Sequence, residues 1–142
     1  YALCQTAGQS PQRFTALLGL AGHACMRARY DVASQLVRQL LDWPPSTRTP
    51  SLLGVHALAA RVRGFQGKLE ASLAHAERVS RLPDPPASQA VMGQPPQDAR
   101  VGTLGFSSVV LWLLGYPDQA VRRAETALRR ADPSLAGVTI RA

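Results

Sequence analysis

Val109-Val110-Leu111-Trp112-Leu113-Leu114-Gly115-Tyr116-Pro117-Asp118-Gln119-Ala120 is the stretch that decides the fold. A dense apolar run stops at Gly115, turns within two residues and restarts near Pro117 as a charged helix spaced by alanines. Glycine takes the left-handed conformation that follows a helix C-terminus, and proline is tolerated in the first helical turn, where its missing N–H is not needed. Asp118 then places negative charge near the positive end of the new helix. The stretch reads as the corner of a helical hairpin. Helical spacing beside Leu113 also predicts that Trp112 and Tyr116 pack in the core rather than offer an aromatic contact to a ligand.

Working outward, the same corner recurs. A helix is expected from Pro11 to about Arg27, with Phe14, Leu17, Leu18, Ala21, Ala24, Cys25 and Ala28 at helical spacing, after a short helix tail ending near Gly8. The next carries Val32, Ala33, Leu36, Val37, Leu40 and Leu41 on one stripe and stops at Pro44-Pro45, because neither proline continues the hydrogen-bond ladder. After the polar loop Ser46 to Thr49, Pro50 opens a third helix that closes near Gly64, and Gly67 leads into a fourth striped by Leu69, Leu73, Ala76 and Val79. Prolines and polar residues over 83–97 predict a loop. A fifth helix is expected from Asp98 to Leu114, apolar enough in its second half to be buried on more than one face. A sixth, Pro117 to Ala131, is lined by Ala120, Ala124, Ala127 and Ala131, and Pro133-Ser134-Leu135 reads as the start of a seventh.

Aligned, the corners share a pattern: a glycine-like position, a bulky or ring residue two later and a small residue five later. The three sets are Ala28, Tyr30, Ala33; Gly67, Leu69, Ser72; and Gly115, Pro117, Ala120. They are offset by 39 and then 48 residues (Ala28 to Gly67, Gly67 to Gly115), the wider gap holding the proline-rich loop. The small residue has a physical task, since two helices cross closely only where side chains are short. The expectation is an all-α chain, an α-solenoid of antiparallel helix pairs in one domain, with about three repeats near 11–43, 50–82 and 98–132.

This pattern resembles the tetratricopeptide repeat, with repeats longer than the usual 34 residues or so and Ala28 where glycine is expected. From about Phe14 onward the chain is more closely similar to the helical-repeat region of large bacterial signalling ATPases. In those proteins a STAND or AAA-type nucleotide-binding module accompanies a nucleotide cyclase or a winged-helix output domain. The residues that carry the likeness are Leu111 to Ala120 and Gly93-Gln94-Pro95-Pro96-Gln97-Asp98, with weaker support from Val55-His56-Ala57-Leu58 and Pro133-Ser134-Leu135. The resemblance implies a non-catalytic sensor or relay scaffold that binds a partner or its own ATPase module. Any ATPase or cyclase residues would lie elsewhere in such a protein, and none is carried over.

The composition allows one folded domain. Hydrophobic residues make up 46%, enough for a core, and 16 basic against 9 acidic residues give a net charge of +7. Lys68 is the only lysine, which excludes a Walker phosphate loop. Cys4 and Cys25 are too few for a disulfide framework, so a reducing cytoplasmic setting is the default. No apolar run approaches the roughly 20 residues of a membrane span. The chain starts at Tyr1 rather than Met, and so reads as a piece of a longer protein.

His23 and Cys25 point about 200° apart on a helix, His56 and His75 fall on different helices without cysteine partners, and Ser107-Ser108 lacks nucleophile-elbow glycines. No metal, cofactor or catalytic residue is expected. The candidate partner-binding residues are arginines: Arg61 and Arg63 at the end of the third helix, and Arg122, Arg123, Arg129 and Arg130 on the sixth. The excess positive charge leaves nucleic acid as the alternative partner; against it, no aromatic residues interleave the arginines and no recognition helix is visible.

Overall fold

The computed structural model describes residues 11–43, 52–83 and 96–131. Among these it contains six helices and no strand: α1 (Pro11–Met26), α2 (Tyr30–Leu41), α3 (Leu52–Phe65), α4 (Leu69–Arg81), α5 (Pro96–Leu113) and α6 (Pro117–Ala131). Helix α5 begins at Pro96 instead of Asp98, proline filling a first-turn position that needs no N–H donor. The expected helix tail near Gly8, the break at Pro44-Pro45, the loop and Pro50 after it, most of the proline-rich loop and the helix start at Pro133 lie outside the described residues.

The three corners have one backbone geometry. Ala28, Gly67 and Gly115 all have positive φ, at 56°, 75° and 87°. Each donates its N–H to the carbonyl three residues back (Cys25, Gly64, Trp112), and the following residue donates five back (Arg29 to Ala24, Lys68 to Arg63, Tyr116 to Leu111). This is the Schellman arrangement, which satisfies the otherwise unpaired carbonyls of a helix C-terminus. The residue after each corner then accepts the first bond of the next helix, from the N–H groups of Ala33, Ser72 and Ala120. Those three small residues are buried. At Ser72 the hydroxyl also donates to the carbonyl of Ala60 at 2.7 Å, so α4 is bonded directly to the backbone of α3.

Each helix packs most extensively on its partner across a corner: α1 on α2, α3 on α4, α5 on α6. The pairs join in chain order, α2 touching α3 and α4 touching α5, while the first helices of the pairs also meet, α1 on α3 and α3 on α5. Helix α3 is thus central. Every residue from Leu53 to Ala60 is buried, and the shortness of Gly54, Ala57, Ala59 and Ala60 is what lets neighbours approach on several sides. One core joins α1, α2 and α3 through Phe14, Leu17, Leu36, Leu40, Val55 and Leu58, closed at its end by Trp43, whose ring meets Phe14 edge-on at 5.7 Å. A smaller core joins Leu53, Ala57 and Val79, with Leu82 and Ala99 packed against it.

Two burial expectations are corrected. Trp112, expected in the core, is 65% exposed, and Val109, Leu113 and Tyr116 on the same stripe are exposed as well. Helix α5 is therefore not buried on several faces: Val110 and Leu111 turn inward, and no described helix covers the opposite side. On α6, Ala120 and Ala127 are buried, Ala124 is half-buried and Ala131 is exposed.

Candidate functional site

The meeting of α1, α3 and α5 leaves a groove of about 590 Å³. Helix α1 contributes Gly22, Cys25 and Met26; α3 contributes Leu58, Arg61 and Phe65; α5 contributes Gly102, Gly105, Phe106 and Val109; and Tyr30 closes it from the start of α2. Local sequence explains the opening. Glycines at 22, 102 and 105 leave floor space where side chains would fill it, and the corner at Gly67 ends α3 with Phe65 at the lip.

The wall is a chain of aromatic contacts. Tyr30 and Phe65 stack with centroids 5.5 Å apart, and Phe65 meets Phe106 edge-on at 5.3 Å. Phe106 sits directly over Gly64, where an added Cβ would lie 2.6 Å from the ring. Phe65 is nevertheless 53% exposed and Met26 85%, so the lip offers large apolar side chains to solvent. A polarizable, unbranched methionine adapts readily to the shape of a partner.

Arg61 is the one cation among the described residues that line the groove. Its Nη2 packs over Gly102, where an added Cβ would approach to 2.9 Å, and it forms no hydrogen bond or ion pair among the described residues. No carboxylate among the described residues lines the groove. The field of Arg61 reaches Cys25, but burial dominates there and pushes the thiol pKa up, which disfavours the thiolate.

The other candidate arginines do not join Arg61. Arg63 turns to the corner, donating to Gln66 Oε1 at 3.3 Å, and Gln66 Nε2 in turn donates to the Tyr30 carbonyl at 3.5 Å. Arg123 bridges to Glu77 on α4 at 2.5 Å, tying α6 to the middle pair. Arg129 lies 3.7 Å from Glu125 one turn earlier. Arg122, Arg129 and Arg130 are exposed, Arg122 at the edge of a cavity of about 380 Å³ between α4, α5 and α6. The groove arginine and the α6 arginines therefore lie on separate surfaces.

Two features escaped sequence reasoning. Arg100 is buried and caps α4, donating to the carbonyls of Val79 and Leu82. His56 and His75 meet across the α3–α4 hairpin with Nδ1 atoms 2.9 Å apart, one donating and the other accepting. Burial first, then Arg63 and Arg78, hold His75 below the usual imidazole range. Their positions on either side of the Gly67 corner are the signal that would have found them. The pair borders a cavity of about 900 Å³, whose rim residues Leu41 and Leu52 adjoin the segment 44–51 outside the described residues. No group of three or more His, Cys, Asp or Glu among the described residues is placed to hold a metal ion, and none of the described helices is long and apolar enough to cross a membrane.

Comparison with known protein families, with curated proteins and with solved structures finds no match to this chain.

Proposed function

We propose that the chain is a tetratricopeptide-like α-solenoid module that works by holding a segment of another protein in the groove between α1, α3 and α5. The observation behind this reading is the threefold recurrence of one corner geometry, at Ala28, Gly67 and Gly115. A shared corner gives the two helices within each pair a similar mutual turn, and repeated pairs of that kind, when stacked, generate extended concave binding surfaces. The module is non-catalytic and cytoplasmic. In keeping with its sequence resemblance, it serves as the sensor or relay part of a bacterial signalling ATPase or transcriptional regulator, with the ATPase module or a separate acidic protein as partner.

Photo-cross-linking in the native host tests this. A photoreactive phenylalanine analogue at Phe65 or Val109 should yield polypeptide adducts, while the same group at Arg122 or Arg129 on α6 should not. Polypeptide adducts confined to the α6 positions would overturn the groove reading, and nucleic-acid adducts at those positions with none in the groove would replace it with the alternative in which the exposed α6 arginines bind nucleic acid. That alternative predicts affinity falling steeply with salt.

A further inference from the structure

We infer that the groove selects a peptide segment presenting one carboxylate between bulky apolar side chains, with Arg61 pairing the carboxylate; this rests on the groove reading above. The argument is charge complementarity at a fixed point. Arg61 is partly buried, its guanidinium is seated over Gly102, and neither an acid nor a hydrogen-bond acceptor engages it among the described residues. A guanidinium held in an apolar cleft gains most from a carboxylate that its planar fork can bind through two parallel N–H donors. Around it the surface is apolar: Met26, Phe65, Phe106 and Val109 line the same groove.

A single-stranded nucleic acid fits less well. It calls for a track of cations along the backbone and free aromatic faces for stacking bases. Among the described residues this groove holds one cation, and Tyr30, Phe65 and Phe106 are already packed in one aromatic chain.

Gly105 supplies a clean control. It lies inside α5, and a Cβ added there meets nothing within 4 Å, so Gly105→Leu starts its side chain in open groove space and with better helix propensity. The probe is a displayed library of random octapeptides selected on the full 142-residue chain, the enriched peptide then being synthesised with its acidic residue intact and as the Gln or Asn isostere. The enriched sequences should carry Asp or Glu flanked by Leu, Ile, Met or Phe. Arg61→Gln should weaken the acidic peptide by roughly 10- to 100-fold, the range of a charge-assisted hydrogen bond, and leave its affinity equal to that of the isostere. Gly105→Leu should abolish binding of both.

Loss with Gly105→Leu but equal binding of acidic and isosteric peptides would overturn the carboxylate preference while keeping the groove. Enrichment that Gly105→Leu leaves unchanged, or no enrichment at all, would overturn both. Tighter binding of a labelled oligo-dT of matched length, lost with Arg61→Gln, would assign the groove to nucleic acid instead. Circular dichroism of both variants checks that the helices persist.

Discussion

Replacing Ala28 with glycine should stabilise the protein, against the usual effect of introducing glycine. Ala28 has φ of 56°, a conformation that the same corner gives to glycine at positions 67 and 115. A left-handed L-residue costs about 1–2 kcal/mol because Cβ crowds the following carbonyl. The added freedom of glycine in the unfolded chain returns about 0.4–1 kcal/mol of that. Ala28 is exposed, so no packing is lost. The net gain is about 0.5–1 kcal/mol, a rise in Tm of about 1–4 °C for a chain of this size. Gly67→Ala and Gly115→Ala run the exchange backwards. An added Cβ meets nothing within 4 Å at either site, so their loss of about 1 kcal/mol is conformational strain alone. Urea midpoints and thermal scans of the three single variants give the comparison. Ala28→Gly that destabilises, or glycine-to-alanine changes that leave stability untouched, would refute the shared corner geometry.

Other consequences follow from the packing. As pH falls below about 6.5 the unfolded chain protonates its histidines, while His75, held below its ordinary pKa, takes up its proton only at lower pH in the folded one. Stability should therefore be greater at pH 7.5 than at 5.5, and His75→Phe should flatten that slope in urea titrations. Arg100→Met removes donors to the Val79 and Leu82 carbonyls and should cost about 2–4 kcal/mol in the urea midpoint, fraying the end of α4 first in hydrogen exchange. Gly64→Ala drives a Cβ into the Phe106 ring, and the overpacking, less the gain in helix propensity, should cost about 1 kcal/mol in a thermal scan. Glu77→Gln breaks the partly exposed pair with Arg123 and should cost under about 1 kcal/mol, less still at high salt.

Helix limits were legible because prolines and glycines mark them: Pro11 and Pro117 each begin a helix, and Gly67 and Gly115 each follow one. Relative burial was not legible, because apolarity alone does not say which helix has neighbours. Helix α5 carries the more bulky apolar run, yet α3 is enclosed, since its small residues admit other helices while Val109, Trp112 and Leu113 face a side that no described helix covers. The arginines show a similar limit. Arg61 and Arg63, two positions apart, point to different surfaces, and Arg123 meets an acid 46 residues away, a pairing that exists only because the fold brings α6 within side-chain reach of α4. The groove itself was invisible for the same reason: its lining comes from four helices, and its glycines at 22, 102 and 105 matter only once those helices are side by side.

The most direct test of the central claim is an amide chemical-shift map of the labelled chain titrated with the selected acidic peptide. Perturbations gathered at Gly22 to Met26, Leu58 to Phe65 and Gly102 to Val109 are the predicted result. Perturbations centred on Arg122 to Arg130 of α6, with the groove amides unmoved, would contradict it.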